Sequence, residues 1–235
     1  MAKETRIAIV GCGAIGRVHA RAVSGMDNAR LVAVSDIRTE TVAGFAKGFN
    51  CNAYYDYVEM FNREKPDLVC VCTPSGTRLD ICHAAAERGV NLLVEKPLDI
   101  VLSRTKRIID LCEEAGIKLG CIFQLRFMPV FRNLKKAVTD GRFGRCILGN
   151  AYTICHRSQE YYDSGGWRGT VAQDGGGALM NQGIHSVDLL RWIMGDVKSV
   201  FAYKASLTHD IEVEDTVTTV LRFESGAMGT LEATT

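Results

Sequence analysis

Hydrophobic positions change their pattern partway along the chain. In the first half they form short unbroken runs at Ile7–Val10, Leu31–Ser35, Leu68–Cys72, Val90–Val94 and Ile117–Phe123. Runs of this kind predict strands covered on both faces. Between them lie amphipathic stretches that predict helices. One covers Thr39–Lys47, one follows an Asp56 N-cap through Arg63, one is closed by Gly89, and one runs from a Ser103 cap to Glu114 with Gly116 ending it. Asn52–Tyr55 adds a short strand. Strands alternating with helices predict a parallel, doubly wound α/β sheet, whose ligands bind at the carboxyl ends of the strands.

After Phe123 the order changes. The sequence predicts a helix from about Pro129 to Thr139, a strand within Cys146–His156, two glycine-rich stretches at 164–169 and 175–177, and one helix from Ala178 to Met194 stopped by Gly195. Three alternating segments follow, Ser199–Leu207, Thr216–Phe223 and Ala227–Ala233, the last two joined by the turn Glu224-Ser225-Gly226. Helix followed by consecutive strands predicts an α+β domain with a largely antiparallel open sheet. The expected division is residues 1–124 and residues 125–235.

Composition narrows the partners. The chain has 235 residues, 47% of them hydrophobic, and 28 basic against 27 acidic side chains for a net charge of +1. That balance offers no footprint for nucleic acid or an anionic membrane. The first residues lead straight into a strand, with no signal peptide and no bilayer-length apolar run, so a cytoplasmic protein is expected. Nine cysteines are scattered without a C-x-x-C pair, which favours reduced thiols over disulfides and no metal site.

The first strand runs into Gly11-Cys12-Gly13-Ala14-Ile15-Gly16, the spacing G-x-G-x-x-G. Gly11 permits the turn, Gly13 lets backbone approach a pyrophosphate, and Gly16 lets the new helix press on the strand, while the amides of Ala14 and Ile15 open a helix N-terminus toward the anion. About 20 residues beyond Gly16, the second strand ends at Asp36, where a dinucleotide fold places the carboxylate that binds the adenosine ribose. A carboxylate there repels a 2'-phosphate, so NAD(H) is favoured over NADP(H). Arg38, two residues on, is the reservation, being able to turn toward a phosphate.

Two further strand ends, Thr73-Pro74-Ser75 and Glu95-Lys96-Pro97, belong to the same carboxyl edge. A lysine held between a buried strand and a proline, beside a cofactor, can shuttle a proton to or from a substrate hydroxyl. Asn181, His185 and Asp188 stand at i, i+4 and i+7 of a helix and are expected on one face, with His185 able to exchange a proton and Asn181 able to hold a hydroxyl. A solvated polar face is the alternative reading of that helix. Trp167 and Arg168 offer an indole cover and a cation for phosphate or carboxylate, or else a simple loop anchor; Tyr161 and Tyr162 are weaker candidates.

With these residues in place the chain resembles the Gfo/Idh/MocA family of nicotinamide-dependent sugar and polyol oxidoreductases. The resemblance runs through Gly11-x-Gly13-x-x-Gly16, Cys72-Thr73-Pro74-Ser75, Glu95-Lys96-Pro97, the segment from Arg126-Phe127 to Gly144, and Gly175-Gly176-Gly177 leading to His185-x-x-Asp188. It implies an N-terminal Rossmann domain, a second domain that binds substrate and builds dimers or tetramers, and Lys96 and His185 facing the reacting carbinol. Arg126, Trp167, Arg168, Asn181 and His185 are then expected beside a sugar, polyol or UDP-sugar substrate. Two positions depart from the family pattern. Asn181 stands where many members carry aspartate, asparagine occurring there in members that include nucleotide-sugar 3-dehydrogenases, and Ser75-Gly76-Thr77-Arg78 replaces N-x-x-H. Family members extend about a hundred residues further, so the second domain is expected to be incomplete. The expected function is an NAD(H)-dependent oxidoreductase acting on a secondary hydroxyl; a non-catalytic dinucleotide sensor and an inactive truncated member remain the alternatives.

Overall fold

A computed structural model describes residues 4–235. The chain divides into two compact units, one ending at Ile122 and one running from Phe123 to Thr235. Among the described residues no helix is long and apolar enough to cross a membrane.

The first unit is a six-stranded parallel sheet. Its strands are β1 (Thr5–Val10), β2 (Ala29–Ser35), β3 (Asn52–Tyr54), β4 (Leu68–Val71), β5 (Asn91–Val94) and β6 (Leu119–Cys121), in the order β3-β2-β1-β4-β5-β6. The order reverses at β1, so the first crossover opens the crevice where such sheets bind ligands. Side chains alternate across β1. Ala8 and Val10 join one core with Met60, Phe61, Ile81 and Ile108, and Ile7 and Ile9 join another with Val23, Val42 and Phe45. Both faces are therefore sealed by helices, which is why the strand reads as an unbroken apolar run. Each fully buried side chain of this size contributes roughly 1.5–3 kcal/mol.

The covering helices are α1 (Ala14–Ser24), α2 (Thr39–Phe49), α3 (Tyr57–Glu64), α4 (Arg78–Ala86) and α5 (Leu102–Glu114). Asp56 caps α3 as expected, its Oδ1 accepting the amides of Val58 and Glu59 at 2.6 and 3.2 Å. Ser103 does not cap α5. The N-cap is Val101, and Ser103 lies inside the first turn. The Val101 amide donates to Asp99 Oδ1 at 3.0 Å, and no side chain accepts the first amides of the helix itself.

The second unit contains α6 (Pro129–Thr139), β7 (Leu148–Ile154), α7 (Gln159–Asp163), α8 (Ile184–Met194), β8 (Val197–Ala205), β9 (Thr216–Phe223) and β10 (Met228–Thr234). The sheet order is β7-β10-β9-β8, with β7 and β10 parallel and the other neighbours antiparallel. One face packs Phe223, Ala227 and Leu231 against Leu190 and Met194 of α8. The opposite face is open to solvent. The short α7 lies in a stretch whose sequence shows no helical period.

The stretch expected as one continuous helix from Ala178 is two pieces. Ala178–Gly183 is a turn of π-helix, and the α-helix begins at Ile184. Its start is fixed by Gly177, where a β-carbon would fall 1.6 Å from the Glu214 carbonyl oxygen. The Glu214 carboxylate accepts the Gly177 amide at 3.1 Å and the Leu179 amide at 3.3 Å.

Candidate active site

In the first unit the glycine turn has the sterics its spacing predicts. Gly11 has φ 102°, and a β-carbon on it would press against the Cys72 carbonyl carbon and oxygen at 2.7 Å. A β-carbon on Gly16 would lie 2.1 Å from the Gly11 carbonyl oxygen, so α1 rests directly on the turn. Gly13 differs from both, since a β-carbon there would meet nothing within 4 Å. Gly13 is also the N-cap of α1, with no side chain bonded across the helix start. The first amides of α1, at Ala14 and Ile15, thus open onto free space with the positive end of the helix dipole behind them. Open space before an uncapped helix start fits a dinucleotide diphosphate.

Asp36 is fixed beside this turn. Its Oδ2 accepts the Cys12 amide at 2.9 Å, and its Oδ1 accepts the Arg38 amide at 2.9 Å and Arg38 Nε at 3.3 Å. Burial raises the pKa of this carboxyl, but the Arg38 and Cys12 amides and the Arg38 guanidinium outweigh it and hold the group below the ordinary carboxylate range. Arg38, itself mostly exposed, is turned onto Asp36. The neighbouring Cys12 thiol is pushed up to about 12 by burial and then by the Asp36 charge, so it is no nucleophile.

The ends of β4 and β5 are tied together by a residue singled out in sequence only as a departure from pattern. Arg78, 4% exposed, donates to the Thr73 carbonyl through Nε and Nη2 at 3.1 and 2.9 Å, and through Nη1 to the carbonyls of Glu95 and Pro97. These carbonyls flank Lys96. Thr73 Oγ1 is buried with no partner among the described residues, Pro74 precedes a short 3-10 turn, and Ser75 in that turn is buried. The Lys96 amide donates to Glu95 Oε2 at 3.2 Å. The other oxygen, Glu95 Oε1, meets His19 Nε2 of α1 at 2.9 Å. Burial pushes the Glu95 pKa up, and the His19 bond and charge, with the amide and ammonium of Lys96, bring it below its ordinary value. His19 was not foreseen. Its only sequence signal is its place on the helix that the glycine turn begins.

In the second unit the polar residues of the Ala178–Met194 segment do not share one partner-free face. The segment is π-helical before Ile184, and Asn181 and Asp188 have separate partners. Asn181 donates its amide to Asp174 at 3.0 and 3.3 Å. Asp188 is gripped by Arg126 through Nη2 at 2.6 Å and Nε at 2.8 Å. This bond raises the Arg126 pKa, so the arginine expected at the substrate is held in an ion pair that also stacks 5.4 Å from the Trp192 ring. His185 packs edge-on against Phe123 with centroids 6.1 Å apart. Asp174, buried at 2% exposure, also accepts the Gly169 amide at 2.9 Å. A carboxylate therefore stands next to Asn181 after all, supplied from the preceding loop and not from the helix. Trp167 and Arg168 lie together in the loop before it, the guanidinium carbon 4.9 Å from the Trp167 ring. Tyr161 lies under Arg168, and Tyr162 is buried with its hydroxyl 2.7 Å from Thr235 Oγ1.

Both units match known proteins. Residues 5–123 match the family model described as oxidoreductase family, NAD-binding Rossmann fold, and residues 131–235 match the GFO/IDH/MocA C-terminal domain. The myo-inositol 2-dehydrogenase of Thermotoga maritima is 32% identical over 234 residues, covering 97% of this chain and 67% of the relative. The WlbA dehydrogenase of Bordetella pertussis, solved with NADH and UDP-GlcNAcA, superposes with a TM-score of 0.96 at 36% identity, over 100% of this chain and 68% of that one. Its counterpart from Chromobacterium violaceum, solved with the same two ligands, gives 0.96 at 35%, again over 100% and 68%. The chain spans about two thirds of the length of these proteins.

Proposed function

The chain is an oxidoreductase of the GFO/IDH/MocA family with an NAD-binding Rossmann fold, and on that premise we propose that it transfers hydride between NAD(H) and a secondary hydroxyl of a nucleotide sugar. The observation that supports the cofactor choice is the fixed Asp36 carboxylate beside the open Gly13. Ionised and held by two amides, it accepts hydrogen bonds from a ribose diol and repels a 2'-phosphate. Support for a nucleotide sugar over a free cyclitol comes from the two dehydrogenases solved with UDP-GlcNAcA, alike over the whole chain.

The residues divide the work. The glycine turn and the amides of Ala14 and Ile15 hold the diphosphate of the cofactor, and Thr73, Pro74, Ser75 and Glu95 shape the strand ends beside it. Bound NAD supplies the redox chemistry, accepting the carbinol hydrogen as hydride in the oxidative direction. Lys96 or His185 accepts the hydroxyl proton at the same time, and Asn181, oriented by Asp174, holds a neighbouring hydroxyl. Arg126, Trp167 and Arg168 contribute to the substrate side, which we assign to the second unit.

The open face of the second sheet supports a homo-oligomer. By register, Leu148, Tyr152, Phe201, Tyr203, Val220 and Met228 lie on one face, each more than half exposed. These apolar side chains, interspersed with Arg222 and Glu232 on the same face, offer a contact surface for a second copy. Nine free thiols suit a reducing compartment such as the cytoplasm.

Fluorescence titration with NADH and NADPH, followed by absorbance assays on UDP-sugars, free sugars and inositols, tests the reading. Tight NADH binding with turnover on a UDP-sugar is expected, and Lys96→Ala is expected to abolish turnover while leaving NADH binding nearly intact. Failure of the chain to bind NADH refutes the cofactor assignment; a Lys96→Ala variant with most of its activity refutes the role of the lysine.

A further inference from the structure

Two arginines of the second unit carry charge that no carboxylate among the described residues neutralises. Arg157 and Arg168 both stand over the ring of Tyr161, their guanidinium carbons 5.1 and 4.7 Å from its centroid. Arg168 also stacks on Trp167. The hydrogen bonds of both side chains go to neutral groups. Arg157 donates to the His156 carbonyl at 3.0 Å and to Gln182 Oε1 at 3.2 Å, and Arg168 donates to Ser164 Oγ at 3.2 Å. Among the described residues neither has a carboxylate partner, and the Nε of each is shut off from solvent without an acceptor. Other arginines of the chain that are as buried are tied to a carboxylate, as Arg6 is to Glu64, or to three carbonyls, as Arg78 is. Two half-buried cations beside one ring repel each other, and an arriving anion relieves that cost.

The surroundings hold both guanidinium groups in place. A β-carbon on Gly165 would lie 2.6 Å from Arg168 Nη1, so the glycine loop is what allows Arg168 to fold back over the tyrosine. The Arg157 carbonyl accepts from His209 Nε2 at 2.9 Å, and His209 Nδ1 faces Asp215 at 3.1 Å. Gln182, which accepts from Arg157, donates to the Tyr161 hydroxyl at 3.3 Å. It sits in the π-turn next to Asn181. Stacking stiffens the two planar forks before any ligand arrives, which lowers the entropic cost of binding an oxyanion through them.

We propose that Arg157 and Arg168 form an oxyanion subsite that takes the diphosphate of a nucleotide sugar or the carboxylate of a uronic acid. This rests on the dehydrogenase reading only in making that anion part of the substrate. Through Gln182 the bound anion is registered against the turn that carries Asn181. A neutral cyclitol has no group for this subsite, so the pair also selects between substrate classes.

Calorimetric titration of the chain and of its Arg157→Gln, Arg168→Gln and doubly substituted variants with UDP, uridine, glucuronate and myo-inositol tests the proposal. UDP or glucuronate is expected to bind the unaltered chain, to weaken at least about tenfold in each single variant and to be lost in the double one. Uridine and myo-inositol are expected to show no such dependence. Stronger binding of UDP assigns the diphosphate, and stronger binding of glucuronate assigns the carboxylate. Equal affinity in the double variant overturns the subsite, as does an unaltered chain that binds neither anion. NADH binding, followed separately by fluorescence, is expected to be unchanged in the variants; if NADH fails to bind the unaltered chain, the dehydrogenase reading falls while the UDP and glucuronate titrations still judge the subsite. Should the glutamine variants fold poorly by thermal melting, lysine at the same positions keeps the charge and loses the fork, and undiminished anion affinity in both lysine variants refutes bidentate binding.

Discussion

His19 Nε2 lies 2.9 Å from Glu95 Oε1, so the helix that begins at the glycine turn is fastened to the strand end that carries Lys96. Both side chains are nearly buried. Replacing His19 with alanine leaves a buried carboxylate short of a partner and is expected to cost about 1–3 kcal/mol in urea denaturation at pH 7. A loss below about 0.5 kcal/mol, the range of neutral surface changes, refutes the fastening.

The proposed preference for NAD(H) rests on the charge of Asp36. Asp36→Ala removes both the ribose acceptor and the repulsion of a 2'-phosphate, and it frees the Arg38 guanidinium that Asp36 now holds. The ratio of NADPH to NADH dissociation constants is expected to fall at least about tenfold. An unchanged ratio in paired fluorescence titrations removes Asp36 from the selection.

If Lys96 carries the proposed proton transfer, Arg78 acts as a positioning residue for it. It bonds the carbonyls on either side of that lysine and the Thr73 carbonyl one strand away. Arg78→Ala strands three buried acceptors, and a stability loss of about 3 kcal/mol is expected. Arg78→His, carrying the residue of the usual family pattern, restores a donor to one side only. Its kcat is expected to fall by more than its KM changes, with a shifted pH profile, because the Lys96 backbone is less constrained. A kcat equal to that of the unaltered chain limits Arg78 to a structural role.

Asp215 makes the second unit sensitive to acid. Fully buried, it accepts from the amides of Leu207, Thr208 and His209 and from His209 Nδ1. Burial opposes ionisation, yet these bonds hold the carboxyl far below its ordinary value. The unfolded chain, whose aspartate titrates near 3.9, binds this proton more readily than the folded one. The stabilisation is complete above about pH 4 and disappears as the pH falls further. Asp215→Asn is expected to flatten the acid limb of a stability profile measured by denaturation between pH 7 and pH 3. A variant with the same acid limb as the unaltered chain refutes this.

Local chemistry explains what could be read beforehand. The buried strands β1, β2, β4 and β5, the spacing of Gly11 and Gly16 and the Asp56 cap are all written in residues close together in sequence. His19 and Arg157 act across 76 and 25 residues and Arg78 across as many as 19, and no period or spacing marks their partners. The π-turn escaped in the same way, since the close approach of Gly177 to Glu214 at its start is a contact between segments far apart in the chain. Ser103 misled because serine is a common N-cap, whereas the helix begins one residue earlier, at Leu102, with no side chain capping it.

The π-turn at Ala178–Gly183 acts as one surplus residue wound into a helix. Deleting Gly183 would let the segment close to a regular α-helix and bring Asn181 and His185 from four residues apart to three. Asn181 and Gln182 would then each stand one place nearer the histidine, away from Asp174 and from Arg157 and Tyr161. The turn thus sets the rotation, and a one-residue change in the length of this helix resets which groups stand beside the histidine.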